Sequence, residues 1–198
     1  MTRLILASAS ESRAKILRHA GVDFTVAPAH VDEDAIKDSM LAARHSHRAV
    51  ADALAELKAL RVSAAHPGAL TLGADQVLFF EGQLISKCET MAQARDLLMR
   101  LRSKKHELFS AAVLAKDGAA VWRHVAKATL TMSDFSDAFL DAHLAAGGET
   151  LLSGVGCYRL EDRGVQLFAQ VEGDYFAILG LPLIPLLSAL REQGVICR

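Results

Sequence analysis

The chain has almost no net charge: 22 lysines and arginines stand against 23 aspartates and glutamates in 198 residues. That balance excludes a general nucleic-acid or membrane-surface binder, so any anion binding must be local. Cysteine is scarce and odd in number, at Cys88, Cys157 and Cys197, with no CxxC or zinc spacing. These read as reduced thiols of a cytoplasmic protein, not as a disulfide frame. Long apolar runs are lacking. The uncharged stretch Phe176 to Leu190 is too short to span a bilayer and contains Pro182 and Pro185, so it reads as a buried strand entering a helix. Met1-Thr2-Arg3 leads straight into the first apolar run, which leaves no room for a signal peptide. The glycine motifs of Rossmann and P-loop sites are missing, as are HExxH and paired-histidine metal motifs. No repeat, linker or low-complexity tract divides the chain, so residues 1–198 read as one domain.

What is present starts at the N-terminus. Leu4-Ile5-Leu6-Ala7 has strand character, and Ile16, Leu17 and Ala20 share a helical face that ends at Gly21. Ser10 is a candidate N-cap. Ser8, Ser10 and Arg13 therefore gather at a helix N-terminus, where free N–H groups and the helix dipole favour anions. Taken alone, the stretch also fits an ordinary capped helix with a surface arginine.

Asp23 to Ala27 reads as a second strand, and Pro28 to Asp34 as a loop holding Asp32 and Glu33. His45 to Ala65 reads as a helix with a stripe of Val50, Ala53, Leu54 and Leu57. Lys58 falls at the edge of that stripe, as a solvated or snorkelling lysine would. Leu70 to Phe80 is an apolar strand interrupted by Asp75 and Gln76. It turns at Glu81-Gly82 and returns through Leu84-Ile85 toward Lys87, which brings Lys87 to the region of Asp75 if the strands pair. A carboxylate in a buried strand is costly unless paired, hydrated or metal-bound; a surface turn aspartate is the plainer alternative.

Thr90 caps a helix whose face is Ala94, Leu97, Leu98 and Leu101. Lys104-Lys105-His106 reads as a solvated basic connector. Strands follow from His106 to Leu114 and from Ala119 to Met132, around a turn at Asp117-Gly118. A helix opens at Ser133-Asp134 and ends at Gly147-Gly148. Val165 to Val171 and Phe176 to Leu179 read as strands, and Pro182 begins a last helix closed by Gly194. Such a mixture with antiparallel hairpins is a mixed α/β fold, not a simple doubly wound sheet.

Together these segments resemble the Maf-like nucleotide pyrophosphatases, or septum formation proteins. Leu6-Ala7-Ser8-Ala9-Ser10 with Arg13 resembles the family's opening L-A-S-x-S-P-R-R. Val31-Asp32-Glu33 resembles its acidic loop, and Ala55-Glu56-Leu57-Lys58-Ala59 its A-x-x-K-A helix. Gly73-Ala74-Asp75-Gln76-Val77 and Gly82-x-Leu84-Ile85-x-Lys87 resemble the next two motifs. Glu172-Gly173-Asp174-Tyr175 and Gly180-Leu181-Pro182-Leu183 resemble the closing ones.

The resemblance implies a two-lobed α/β fold, a mixed sheet with flanking helices and a central cleft. It implies hydrolysis of a nucleoside triphosphate to monophosphate and pyrophosphate, with magnesium or manganese, by a cytoplasmic and often dimeric enzyme. In that frame Arg13, Lys58 and Lys87 neutralise phosphates, Ser8 and Ser10 add hydrogen bonds, and Glu33 and Asp75 offer the oxygen ligands a hard cation takes. Asp75 also suits the general-base role; the sequence leaves base and ligand open. Departures are Glu11 for the family's proline, Ser12 for the first of its two arginines, Arg102-Ser103 for its S-G, and Cys88 for the proline after the lysine. Ser12, Gln76 and Glu161 stand where base choice is set. Ser12 fits neither known branch, whereas Gln76 and Glu161 match the 7-methyl-GTP branch over the dTTP/UTP branch. A carboxylate at Glu161 can accept from guanine N1 and N2 and favours a cationic methylated base; a solvated loop acid is the alternative. A nucleotide-binding regulator of cell division with little turnover is the competing function.

Overall fold

A computed structural model describes residues 2–197. Among them the strands hydrogen-bond in the order β2-β1-β3-β5-β6-β7, with β4 on β3, in one mixed sheet flanked by helices. The strands are β1 (Leu4–Leu6), β2 (Thr25–Val26), β3 (Leu70–Phe80), β4 (Gln83–Ile85), β5 (Lys105–Lys116), β6 (Ala119–Met132) and β7 (Phe168–Glu172). The helices are α1 (Glu11–His19), α2 (Glu33–Ala42), α3 (His47–Ala65), α4 (Met91–Leu101), α5 (Asp137–Gly147), α6 (Tyr175–Ile178) and α7 (Leu183–Glu192). No helix among the described residues is long and apolar enough to cross a membrane. Two compact units emerge. The first comprises the chain up to Gln76, Phe109–Ala126 and everything from Asp174 on; the second comprises Val77–Leu108 and Lys127–Gly173.

In the first unit β1 runs parallel to both β2 and β3, with Leu4, Ile5 and Leu6 opposite Leu70, Thr71 and Leu72. Side chains alternate across a strand. Leu4 and Leu6 join Leu17, Leu70, Leu72, Leu186 and Leu190 in one core cluster, while Ile5 and Ala7 join Val62 and Ala69 in another. A strand buried on both faces must be apolar throughout, which explains the unbroken run at Leu4 to Ala7.

In the second unit Leu78, Phe79 and Phe80 pair antiparallel with Ile85, Leu84 and Gln83. The two-residue turn between them has φ +49° at Glu81 and +82° at Gly82, the positive values a twisted hairpin needs. Helix α4 buries the expected Ala94, Leu97, Leu98 and Leu101, and Thr90 accepts from the N–H of Gln93 at 3.2 Å.

Several elements differ from the sequence reading. Phe176 to Leu179 is not a strand: Asp174 accepts from the N–H of Ala177 at 2.8 Å and starts the single turn α6. A short apolar run has no period to tell strand from helix, so the cap decides. The segment read as a loop from Pro28 leads into α2, capped by Asp32 on Ala35 at 3.0 Å. No residue of α2 is buried, so no apolar stripe announces it. Helix α5 opens at Ser136, not Ser133, because Ser136 takes the N–H of Phe139. The strand placed at Val165 begins only at Phe168, after a 3-10 turn from Arg163 to Leu167. The basic link is shorter than Lys104-Lys105-His106: β5 starts at Lys105, one residue before the strand expected from His106, and His106 is only 1% exposed.

Candidate active site

Strand β1 ends at Leu6, and Ser10 caps α1 as its sequence position suggests, accepting from the N–H of Arg13 at 3.4 Å. Ser8 accepts twice. The N–H of Ser10 donates to its Oγ at 3.2 Å, and Nη1 of Arg13 at 2.9 Å. Arg13 Nε donates to the carbonyl of Gly180 at 2.9 Å. Gly180 has φ +103°, a conformation that side chains resist, so glycine there lets its carbonyl face the guanidinium. Arg13 is buried. Burial pulls its pKa down, and Asp75 and then Glu33 pull it back up; a guanidinium keeps its charge in either case.

Lys58 is the largest departure from the sequence reading. It sits in the middle of the buried face of α3, not at its edge, and is 7% exposed. The buried residues of α3 are Val50, Ala51, Leu54, Ala55, Lys58, Ala59, Val62 and Ser63, whereas Leu57 is 37% exposed. The reason lies in β3. A Cβ on Gly73 would fall 2.1 Å from the Ala55 carbonyl and 2.5 Å from the Ala59 nitrogen. Only glycine opposite alanines allows a helix to lie that close to a strand. The close approach carries Lys58 Nζ to 2.5 Å from Asp75 Oδ1 and 2.7 Å from Glu33 Oε1. Asp75 is 5% exposed; Glu33 is partly solvated and also lies 3.8 Å from Lys37.

Arg13, Lys58, Asp75 and Glu33 thus balance two positive charges against two negative ones within the first unit. Burying ions is costly, and the cost is offset because Lys58 is paired with both carboxylates and Arg13 donates hydrogen bonds to Ser8 and Gly180. Gln76, next to Asp75, donates through its amide nitrogen to Ser110 Oγ at 2.9 Å, to the Ile178 carbonyl at 2.9 Å and to the Ala177 carbonyl at 3.1 Å. Ser110 in turn donates to the Ala177 carbonyl at 2.6 Å. Ser12 is partly exposed on α1. Asp32 is used as the α2 cap.

Lys87 and Glu161 belong to the second unit. Lys87 is exposed and follows β4; Glu161 lies 3.3 Å from Arg159 Nη2. Sequence reasoning gave Gly73 and Gly180 only as motif positions, without the roles the structure shows, and missed Ser110. The only signal for Ser110 is a lone hydroxyl in the apolar run from Leu108 to Ala115.

Glu33 and Asp75 are hard carboxylate donors on one ammonium, a set that suits magnesium or manganese. Among the described residues no three His, Cys, Asp or Glu side chains form a metal-binding group. The protein would therefore supply one or two carboxylates and leave the rest of the shell to phosphate and water oxygens, which is how magnesium is usually held.

These features define a mixed α/β protein with a serine–arginine helix start and a buried lysine–carboxylate cluster. The chain belongs to the family described as Maf-like protein, which it matches over residues 3–193. It is 50% identical over 196 residues to a nucleoside triphosphate pyrophosphatase of Caulobacter vibrioides, covering 99% of this chain and 98% of that protein. Proteins of the same name from Paramagnetospirillum magneticum and Roseobacter denitrificans are 51% and 48% identical, each over 96% of this chain and over 98% and 96% of their own lengths.

Proposed function

We infer that this chain is a nucleoside triphosphate pyrophosphatase, a hydrolase acting on the α–β phosphoanhydride, with a preference for a modified purine nucleotide such as 7-methyl-GTP. The observation that carries the reaction class is the buried Lys58–Asp75 pair with the partly solvated Glu33 on the same ammonium and Arg13 nearby. A triphosphate brings negative charge that grows on the leaving pyrophosphate, and fixed cations stabilise it. Arg13 is held rigid by Ser8 and Gly180, so little ordering is needed when it meets a phosphate. Lys58 already has two carboxylates and can exchange one for a phosphate oxygen while keeping the other. Asp75 takes the proton from the attacking water, the role for which a positioned carboxylate is suited. A divalent cation held by Glu33 and Asp75 would add charge neutralisation and acidify bound water. Lys87 is assigned to phosphate by the resemblance.

Base preference is read from Gln76 and from Glu161, each by the position the resemblance assigns it. Glu161 presents an acceptor pair to guanine N1–H and N2–H and attracts a positively charged methylated base. Gln76 has its amide nitrogen committed to Ser110 and α6, which fixes the direction of its carbonyl oxygen. Three free thiols fit work in a reducing compartment.

The test is pyrophosphate release with magnesium from 7-methyl-GTP, GTP, dTTP and UTP. The expected result is the highest kcat/KM on 7-methyl-GTP, with that preference reduced about tenfold or more by Glu161→Gln. Highest turnover on dTTP or UTP would overturn the base assignment. Binding without release across the whole panel would favour a regulator over an enzyme.

A further inference from the structure

Within the second unit a buried imidazole meets a phenol. His106 Nε2 lies 2.7 Å from Tyr158 Oη, with ring centroids 5.5 Å apart. Phe168 closes the group, edge-on to Tyr158 at 4.9 Å. His106 is 1% exposed, and its Nδ1 is buried with no partner. An unpartnered buried nitrogen is costly, and a phenylalanine would fill the same space without it. Packing therefore does not account for the histidine. What it supplies is a partner for the Tyr158 hydroxyl.

Tyr158 belongs to the loop that carries Glu161, and that loop is built around it. A Cβ on Gly156 would fall 2.2 Å from the Tyr158 ring, so glycine is needed for the ring to fold back. Cys157 has φ +53°, an unfavourable conformation for a side-chain-bearing residue. His143 is also buried; desolvation lowers its pKa, and the backbone of Cys157 acts in the opposite direction. At the other end, a Cβ on Gly164 would fall 2.5 Å from the Arg159 carbonyl. Arg159 reaches Glu161 at 3.3 Å and Asp162 at 2.7 Å. The loop is thus pinned by Tyr158 on His106 and by Arg159 on Glu161 and Asp162, and Glu161 follows directly after these two adjacent anchors.

We propose that His106 is a positioning residue for base selection, acting through the Tyr158 hydroxyl to hold the loop that presents Glu161. The proposal rests on the reading of Glu161 as the base-contacting residue. Desolvation keeps the imidazole neutral, with its pKa pushed down to about 4, so the bond has the same form throughout the neutral range.

The test uses Tyr158→Phe, which removes a single oxygen, together with His106→Phe and His106→Gln. KM and kcat are measured for 7-methyl-GTP and for dTTP, alongside Tm. Tyr158→Phe and His106→Phe should each raise KM for 7-methyl-GTP about three- to tenfold, the worth of one hydrogen bond, with kcat within about twofold and KM for dTTP little changed. His106→Gln, which restores a polar partner, should recover part of the loss. In a Glu161→Gln background Tyr158→Phe should add almost nothing, because the two act on one contact. A lower Tm with an unchanged KM ratio between the two nucleotides would overturn the proposal and leave a structural pair. If Glu161→Gln shifts base preference but Tyr158→Phe does not, this inference fails alone. If Glu161→Gln shifts nothing, the base reading fails and takes this inference with it.

Discussion

The two units each bury polar groups, but of opposite kinds. In the first, Lys58 is ion-paired with Asp75 and Glu33, Arg13 lies in the field of the same two carboxylates, and the group is partly in reach of water through Glu33. In the second, His106 and Tyr158 are neutral and enclosed by aromatic rings. Desolvation pushes the pKa of both away from the charged form, down for the imidazole and up for the phenol. Paired ions have something to exchange: an incoming polyanion can take the place of one carboxylate on Lys58, and the displaced carboxylate would then need a further cation as its partner. A neutral pair has nothing to exchange and serves by fixing direction. On the proposed reading, buried charge marks where chemistry happens, and buried neutral polarity marks where shape is held.

The largest expected effect breaks the first cluster. Asp75→Asn keeps the shape and an acceptor oxygen but removes the proton acceptor. Turnover should fall about a thousandfold, within the range of general-base losses. Lys58 retains Glu33 at 2.7 Å, so the Tm should fall only modestly. Steady-state pyrophosphate release and a thermal melt measure both. Full activity in Asp75→Asn would make the ionic cluster a structural device like the neutral one and erase the contrast.

A smaller effect probes the neutral pair through pH. His106 is held near 4, below the 6.5 of an unfolded histidine. Between those values the unfolded chain binds a proton that the folded chain refuses. This contribution to stability is complete above about pH 6.5 and is lost as pH falls toward 4. The shift corresponds to a loss on the order of 3 kcal/mol by the acid end of the window. His106→Gln cannot protonate, so its stability should decline less over the same range. Denaturant melts of both proteins from pH 7.5 to 4.5 provide the comparison; parallel curves would mean that His106 is hydrated and titrates normally.

The contrast between the units was only partly readable from residue order. Local rules carried the Ser10 and Thr90 caps, the turns at Glu81-Gly82 and Asp117-Gly118, and the return strand Ala119–Met132, because caps and tight hairpins depend on neighbouring residues. Residue order alone puts Lys58 at the edge of the stripe because periodicity ranks Leu57 above alanine as a core residue. The alanine face of α3 wins because Gly73 admits a helix only where its side chains are small, and that is a fact about β3. His106 was hidden by Lys104 and Lys105, whose charge suggests a solvated link; inside a strand, alternation sends His106 inward and leaves Lys105 exposed. The chemistry of Asp75, Lys58 and Arg13 could be suspected from residue type, but their joint burial could not.

The smallest expected effect concerns a third kind of polar pair, fully outside both clusters. Glu11 is the first residue of α1, and its carboxylate meets Arg18 Nη1 at 2.8 Å with both side chains more than half exposed. Exposed pairs of this sort contribute about 0–1 kcal/mol. The first helical position tolerates proline, whose fixed φ suits a helix start and whose missing N–H removes no helical bond. Glu11→Pro loses the ion pair and some favourable charge near the helix N-terminus, and it gains about 0.4–1 kcal/mol by restricting the unfolded chain. The terms nearly cancel, so stability should change by no more than about 0.5 kcal/mol. Turnover should stay within about twofold, because Arg13 is held by Ser8 and Gly180 and not by Glu11. A tenfold loss of turnover with an unchanged Tm would mean that the Glu11 carboxylate acts on substrate, and the line between buried chemistry and exposed surface would have to be redrawn at the start of α1.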